Sequence, residues 1–138
     1  MILLDTNIVS EIMRPKPSQN VLHWLNYHSD DSLLISSITI AEICYGLRIL
    51  PMGQRRSTLE TKFEQFVAEG FDGRIIGFDE AAARTYAKIM GLRKEIGHPM
   101  SLPDGQIAAI AQVNQFILAT RNVDDFEKCG LELVNPFD

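Results

Sequence analysis

Short, mostly apolar runs alternate along this chain with longer stretches whose apolar residues recur at helical spacing. The runs fall at residues 2–4, 33–36, 74–78 and 116–120, with a shorter fifth at 132–134. Each is too short for a helix and lacks the polar alternation of a strand wetted on one face. It therefore reads as a strand covered on both faces. Helical segments are expected between the runs, at 7–14, 18–27, 39–50, 55–69, 80–96, 103–114 and 123–128. Pro15, Pro51, Gly53, Gly70, Gly97 and Gly130 mark their ends. Pro103 sits near a helix start, where a missing N–H costs little. This alternation implies βαβ units, hence an α/β fold whose mostly parallel central sheet of four to five strands is flanked by helices. No linker, repeat or low-complexity tract divides the 138 residues, so a single domain spanning 1–138 is expected.

Composition narrows the function. A hydrophobic fraction of 46% and a charged fraction of 22% are those of a water-soluble globular protein. No apolar run approaches the roughly 20 residues of a membrane span. The opening Met-Ile-Leu-Leu-Asp-Thr-Asn has neither a basic segment nor a cleavage site, so no signal peptide is read and a cytoplasmic location is expected. Cys44 and Cys129 have no metal-binding spacing, and a cytosolic chain of this size needs no disulfide. Cys44 lies in an apolar helical pattern and is expected to be a buried thiol. His23, His28 and His98 are scattered and form no ligand pair. A net charge of −5 disfavours gripping nucleic acid by bulk electrostatics, unless the acids are gathered and neutralised by bound cations.

In open α/β sheets ligands bind beyond the carboxyl ends of the strands. Asp5 directly follows the first run. Glu42 is expected in the first turn of the helix after the second run. Asp104 is expected in the first turn of the helix leading into the fourth, which ends Thr120-Arg121-Asn122 with Asp124 and Asp125 just beyond. In a parallel sheet Asp5, Glu42 and residues 120–125 share one edge, and Asp104 joins them if its helix starts there. Gathered carboxylates repel, and one is driven to bind a proton unless a cation neutralises the group. Mg²⁺ and Mn²⁺ take oxygen ligands, activate water and stabilise developing charge in phosphodiester hydrolysis. Each acid also has a capping reading. Thr39-x-x-Glu42 and Ser101-x-x-Asp104 have capping-box spacing, and Asp5 could cap the next helix. Three acids on one edge favour a metal-dependent nuclease site. A phospho-acceptor signalling domain would need a second acid beside Asp5, an acceptor after the third strand and a Lys after the last. Only Asp79 occupies the acceptor place, where it reads as a helix cap, and the Lys is missing.

The same residues carry a resemblance. MILLDTNIVSE at 1–11 resembles the opening of PIN-domain proteins, and more narrowly of the VapC/FitB toxins of bacterial toxin–antitoxin pairs. SSITIAEICYGL at 36–47, LPDGQIAAIA at 102–111 and ILATRNVDDF at 117–126 resemble their later motifs, with Glu42 and Asp104 at the acidic positions, and VNPF at 134–137 resembles their closing segment. The resemblance spans the chain and implies a PIN-like α/β/α sandwich. It also implies an endoribonuclease using Mg²⁺ or Mn²⁺, a cognate VapB/FitA-like antitoxin that blocks the site, and a homodimer. Asp5, Glu42 and Asp104 would be the catalytic metal ligands. Many relatives have an acid where this chain has Asn122. Asn122 could ligate through its carbonyl, or Asp125 or Asp124 could supply the fourth carboxylate. A binding module without catalysis is the alternative this departure leaves open.

Thr120, Arg121 and Arg14 lie near the expected edge and are candidates for contact with substrate phosphate. Arg55 and Arg56, in a polar turn after Gly53, could touch RNA or simply be solvated. Phe63, Phe66 and Val67 are expected in a core or a dimer face. Trp24, Val21 and Leu25 are expected in the core or in an antitoxin groove.

Overall fold

A computed structural model describes residues 1–28 and 30–138. Five strands, β1 (Ile2–Leu4), β2 (Leu33–Ser36), β3 (Ile75–Ile76), β4 (Ile117–Ala119) and β5 (Leu133–Val134), form one sheet in the order β3-β2-β1-β4-β5. Every adjacent pair is parallel, so the sheet is wholly parallel across its five strands. Among the described residues six helices accompany it: α1 (Thr6–Ile12), α2 (Gln19–Tyr27), α3 (Ser37–Arg48), α4 (Gln54–Gly70), α5 (Glu80–Glu95) and α6 (Leu102–Asn114). Short 3-10 turns occupy Asp30–Ser32 and Val123–Phe126.

The period of two along each strand divides the apolar runs between two cores. Ile2, Leu4, Leu33, Ile35 and Ala119 face one side. There they meet Ile8 and Val9 of α1, Val21 of α2, Ile43 and Leu47 of α3, and Phe63 of α4. Leu3, Leu34 and Leu118 face the other side, packing on Ala82 and Ile89 of α5 and on residues 107–111 of α6. The result is an α/β/α sandwich with α1–α4 on one face and α5–α6 on the other. Each fully buried aliphatic contributes about 1.5–3 kcal/mol of transfer free energy. Gly105 lets α6 approach α5 closely, since a methyl group there would meet Met90 Sδ at 2.5 Å.

Element ends shift where local chemistry differs from the pattern. Helix α3 starts two residues before the expected 39, because the Ser36 hydroxyl accepts from Thr39 N at 3.1 Å and caps it. The expected helix at 123–128 is only a 3-10 turn, since Lys128 turns to a positive φ of 61°. Strand β3 is two residues, not five, and sits at a partly exposed sheet edge. Cys44 is exposed rather than buried. The inward stripe of α3 is Thr39, Ile43 and Leu47, and Cys44 falls beside it, facing a groove with Glu60 and Glu64 of α4. Phe63 is core, with Phe66 and Val67 packed against it; Trp24 and Leu25 flank the same core.

The chain steps from β1 outward to β2 and β3, then returns to the other side of β1 for β4 and β5. The order reverses at β1, and the crevice beyond the carboxyl ends of β1 and β4 is where such sheets bind ligands.

Candidate active site

Asp5 follows β1 directly, and its backbone N–H extends the ladder to Ala119 O at 2.9 Å. Its side chain begins α1 as the cap, with Oδ1 accepting from Thr6 N at 2.8 Å. Oδ2 accepts from the Thr120 hydroxyl, also at 2.8 Å. The residue is only 5% exposed. Burial pushes its carboxyl up from 3.8 to about 6; the Thr120 and Thr6 bonds oppose the rise, while the charges of Asp104 and Glu42 add to it.

Thr120, fully buried where β4 ends, links the pieces. Besides donating to Asp5, its hydroxyl oxygen accepts from Asn122 N at 3.1 Å and from Asn7 Nδ2 at 3.5 Å. Asn7 Oδ1 accepts from Arg121 N at 3.3 Å, tying the start of α1 to the end of β4.

Glu42 stands in the second turn of α3, not the first, because Ser36 caps that helix and Thr39 lies inside it. The capping reading of Glu42 therefore falls away. Its Oε1 instead accepts from the Thr6 hydroxyl at 2.7 Å, and Thr6 lies 3.0 Å from the Thr39 hydroxyl. Asp104 is half-buried in the first turn of α6, where Ser101 Oγ accepts from its backbone N at 3.4 Å. Burial raises the Asp104 carboxyl. Ser101 and the charge of Arg93 oppose that rise, and the charges of Asp125 and Glu42 reinforce it.

An open cleft of about 440 Å³ gathers Asp5, Glu42 and Asp104 with Thr6, Asn7, Glu11, Arg14, Arg121 and Asn122 along its walls. The common edge expected of the three acids is thus present. Arg14 is held at the rim by a 3.1 Å bond to buried Glu11, whose other oxygen accepts from Ser18 N at 2.9 Å. Burial alone would raise the Glu11 carboxyl, but Ser18 and Arg14 outweigh it and leave it below the ordinary value. The Arg121 guanidinium lies 4.5 Å from the centre of the Phe137 ring.

The two acids after Asn122 part company. The charge of Asp125 reaches Asp104, whereas Asp124 lines a separate hollow with Arg93, His98 and Lys128. Arg55 and Arg56 lie in the first turns of α4, not in a loop. Arg56 pairs with Glu60 at 3.4 Å, while Arg55 lines a groove that adjoins the cleft through Thr6, Arg14 and Glu42. Asp79 caps α5 by accepting from Ala82 N, the role its place before the helix led one to expect. The sequence reading missed Thr6 and Glu11. Thr6 was legible only as part of a cap, and nothing in the sequence marked Glu11 as the holder of Arg14.

The donor set is all oxygen, and each carboxylate keeps free lone pairs beyond the bonds above. Among the described residues no three His, Cys, Asp or Glu side chains are gathered into a group that could hold an ion by themselves. The arrangement fits an ion such as Mg²⁺, which takes one or two carboxylates and keeps several waters.

Fold and site together define a class: a parallel α/β/α sandwich with acids gathered at its switch point. The PIN domain model matches residues 2–130, and the chain belongs to that family. Within it, the chain groups with the VapC and FitB toxins. It is 38% identical over 138 residues to VapC ribonuclease Y4jK of Sinorhizobium fredii, covering 100% of this chain and 99% of that one. It is 37% identical over 137 residues to toxin FitB of Neisseria gonorrhoeae, covering 99% of each. The crystal structure of FitAcB from Neisseria gonorrhoeae superposes with a TM-score of 0.92 at 37% identity, covering 99% of both chains. No helix among the described residues is long and apolar enough to cross a membrane.

Proposed function

We propose that this chain, acting as a single domain over 1–138, is the toxin of a type II toxin–antitoxin pair. In this reading it hydrolyses RNA phosphodiesters as a Mg²⁺- or Mn²⁺-dependent endoribonuclease. The observation that carries the reading is the Asp5 carboxylate, buried at the switch point, fixed by two donors and sharing a cleft with Glu42 and Asp104. The names of relatives support it: one is a VapC ribonuclease and another a toxin. The FitAB structure bound to a DNA fragment supports a VapB/FitA-like antitoxin as partner. A homodimer and a cytoplasmic site of action follow from the same kinship.

Asp5, Asp104 and Glu42 would hold the metal, in part through its waters, with Asp125 or Asn122 as a fourth group. When bound, the metal supplies an activated water and positive charge for the phosphate oxygens. The chain's own residues set the geometry. Thr120 and the Thr6 N–H fix the Asp5 oxygens, and the Thr6 hydroxyl aims Glu42. Arg14 and Arg121 stand at the rim, where they would take phosphates of the bound strand; Thr120, expected to contact substrate, is instead fully buried and turned to Asp5. Burial keeps the Asp5 carboxylate poorly solvated, which strengthens its pull on a cation.

The protein freed of antitoxin should cleave RNA with Mg²⁺ or Mn²⁺ and stop in EDTA, and Asp5→Asn should abolish cleavage while the chain stays folded. Asp5→Asn cutting as fast as wild type would remove the site. The second reading, a binding module without catalysis, is favoured by Asn122 at the place of an acid. It predicts no cleavage by the antitoxin-free wild-type chain with either metal.

A further inference from the structure

Arg121 follows Thr120 just beyond β4 and lines the cleft with Asp5, Glu42 and Asp104. Its backbone is pinned on both sides. The N–H donates to Asn7 Oδ1 at 3.3 Å, and the carbonyl accepts from Asn135 Nδ2 at 3.3 Å. The guanidinium is held differently. It stands 4.5 Å from the centre of the Phe137 ring, inside the roughly 6 Å reach of a cation–π contact. Among the described residues it joins no ion pair, and no hydrogen bond ties its nitrogens down. A ring takes the flat face of a guanidinium and leaves the N–H edge free. Arg14, the other rim cation, instead spends Nη1 on Glu11 at 3.1 Å.

The segment after β5 does not depend on the arginine side chain for its place. Thr120 N donates to Val134 O at 2.9 Å, and Phe137 N donates to Asn135 Oδ1 at 2.9 Å. Asn20 Nδ2 of α2 donates to Phe137 O at 2.8 Å. The Phe137 ring packs against the core covered by α1–α4, and Pro136 beside it is buried. The ring is therefore fixed by α2, β4 and the core, whereas Arg121 is exposed. An exposed arginine left to itself samples many rotamers and loses that freedom when a ligand binds. A fixed ring beneath the guanidinium narrows those rotamers beforehand, which lowers the ordering cost of binding.

We propose that Phe137 is a positioning residue for the substrate strand: its ring holds the Arg121 guanidinium at the cleft wall with the N–H donors free to take an RNA phosphate. The segment after β5 thereby serves the site, although none of its residues lines the cleft. The inference rests on the ribonuclease reading above and deepens it, by naming what orients one of the two rim cations.

The test uses the full chain free of antitoxin. The probe is a fluorescein-labelled, mixed-sequence single-stranded RNA of about 12 nucleotides. Its binding is read by anisotropy in Ca²⁺, an oxygen-seeking ion that neutralises the acids, before cleavage is started with Mn²⁺. Phe137→Leu should weaken binding by about fivefold and Arg121→Gln by about tenfold. The double variant should be no weaker than Arg121→Gln, because the ring acts through the guanidinium. Phe137→Tyr should bind within about twofold of wild type. Phenylalanines of increasing ring fluorination at 137 keep the ring while draining its face of charge. They should weaken binding step by step, and change nothing once Arg121 is replaced by Gln. In Mn²⁺, KM should rise in parallel while kcat moves by less than about twofold. Circular dichroism confirms that each variant is folded. If Phe137→Leu does not fold, the fluorinated series carries the same comparison. Binding insensitive to fluorination, losses that add to that of Arg121→Gln, or a fall in kcat at unchanged KM overturns the positioning role alone. RNA bound in the expected order but cut with neither Mn²⁺ nor Mg²⁺ overturns the nuclease reading alone. No RNA binding by the wild-type chain overturns both.

Discussion

Replacing Asp5 with Asn should stabilise the metal-free protein while destroying its activity. The carboxyl is raised from 3.8 to about 6 in the folded chain. Between those values the folded state holds a proton that the unfolded state has released. Stability tied to this group is therefore fully present below 3.8 and is lost as pH rises through about 6. At about 1.4 kcal/mol for each pH unit, the loss at neutral pH is about 3 kcal/mol. Asn cannot ionise, so it escapes this loss. Its carbonyl can still accept from Thr6 N, and its NH₂ can donate to Thr120 Oγ in place of accepting from it, since the hydroxyl can reverse roles. Some of the gain will be offset by that reversal, because Thr120 Oγ1 already accepts from Asn122 N. A net gain of about 1.5–3 kcal/mol at pH 7 corresponds to about 5–10 °C in Tm for a chain of this size.

The assay is urea unfolding of both proteins in EDTA from pH 4 to pH 8. Other groups titrate too: Asp104 is shifted in the same direction as Asp5 and Glu11 in the opposite one. The difference between the two proteins removes those shared contributions. It should grow with pH through the window from 3.8 to about 6 and then level off. Adding Mn²⁺ should stabilise wild type and leave Asp5→Asn nearly unchanged, because only a state that binds the ion gains from it. A variant less stable than wild type at pH 7 in EDTA, or a difference independent of pH, would refute the reasoning.

Gly105→Ala should cost about 1–3 kcal/mol in urea unfolding, since the new methyl meets Met90 Sδ at 2.5 Å and Tyr86 at 3.0 Å; shortening Met90 to Ala in the same chain should recover part of it, and no recovery would place the strain elsewhere. Leu4→Ala in the central strand, where the side chain is 0% exposed, should cost about 2–5 kcal/mol. A much smaller loss would mean the core refills there. Glu11→Gln removes the charge that holds Arg14, so KM for RNA should rise by more than kcat falls; an unchanged KM would show that Arg14 does not meet substrate.

The layer order was legible because the strands are mostly apolar runs: such a run buries both faces, as a parallel sheet between two helical layers requires. Ile2-Leu3-Leu4 shows the logic, with Leu3 turned to one core and its two neighbours to the other. Edges were less legible. Strand β3 and the turn at Val123–Phe126 are short because their ends are set by single backbone bonds and one positive φ, which composition does not encode. At the site, Asp5 and Asp104 could be placed from the strand and helix ends they adjoin. Glu42 was given the wrong turn because three nearby hydroxyls, Ser36, Ser37 and Thr39, could each cap, and it is Ser36 that does. Phe137 and Glu11 were invisible, because their partners lie in other elements or on the main chain.

Capping and a catalytic role are usually weighed as rivals for an acid at a helix start, yet Asp5 is placed for both: it caps α1 and lines the cleft. One oxygen takes the Thr6 N–H of α1 and the other takes the Thr120 hydroxyl from β4. Those bonds fix the carboxylate's direction without removing its charge, and burial with two acidic neighbours makes that charge costly. The same carboxylate thus begins a helix and carries a charge that the proposed cation would neutralise. A cap alone would be served as well by Asn or Ser. The proposed metal role accounts for keeping an ionisable group whose raised carboxyl costs about 3 kcal/mol at neutral pH when no cation is bound. The sign of the stability change in Asp5→Asn therefore separates the two roles: loss would make Asp5 chiefly a cap, and gain marks stability given up for a site.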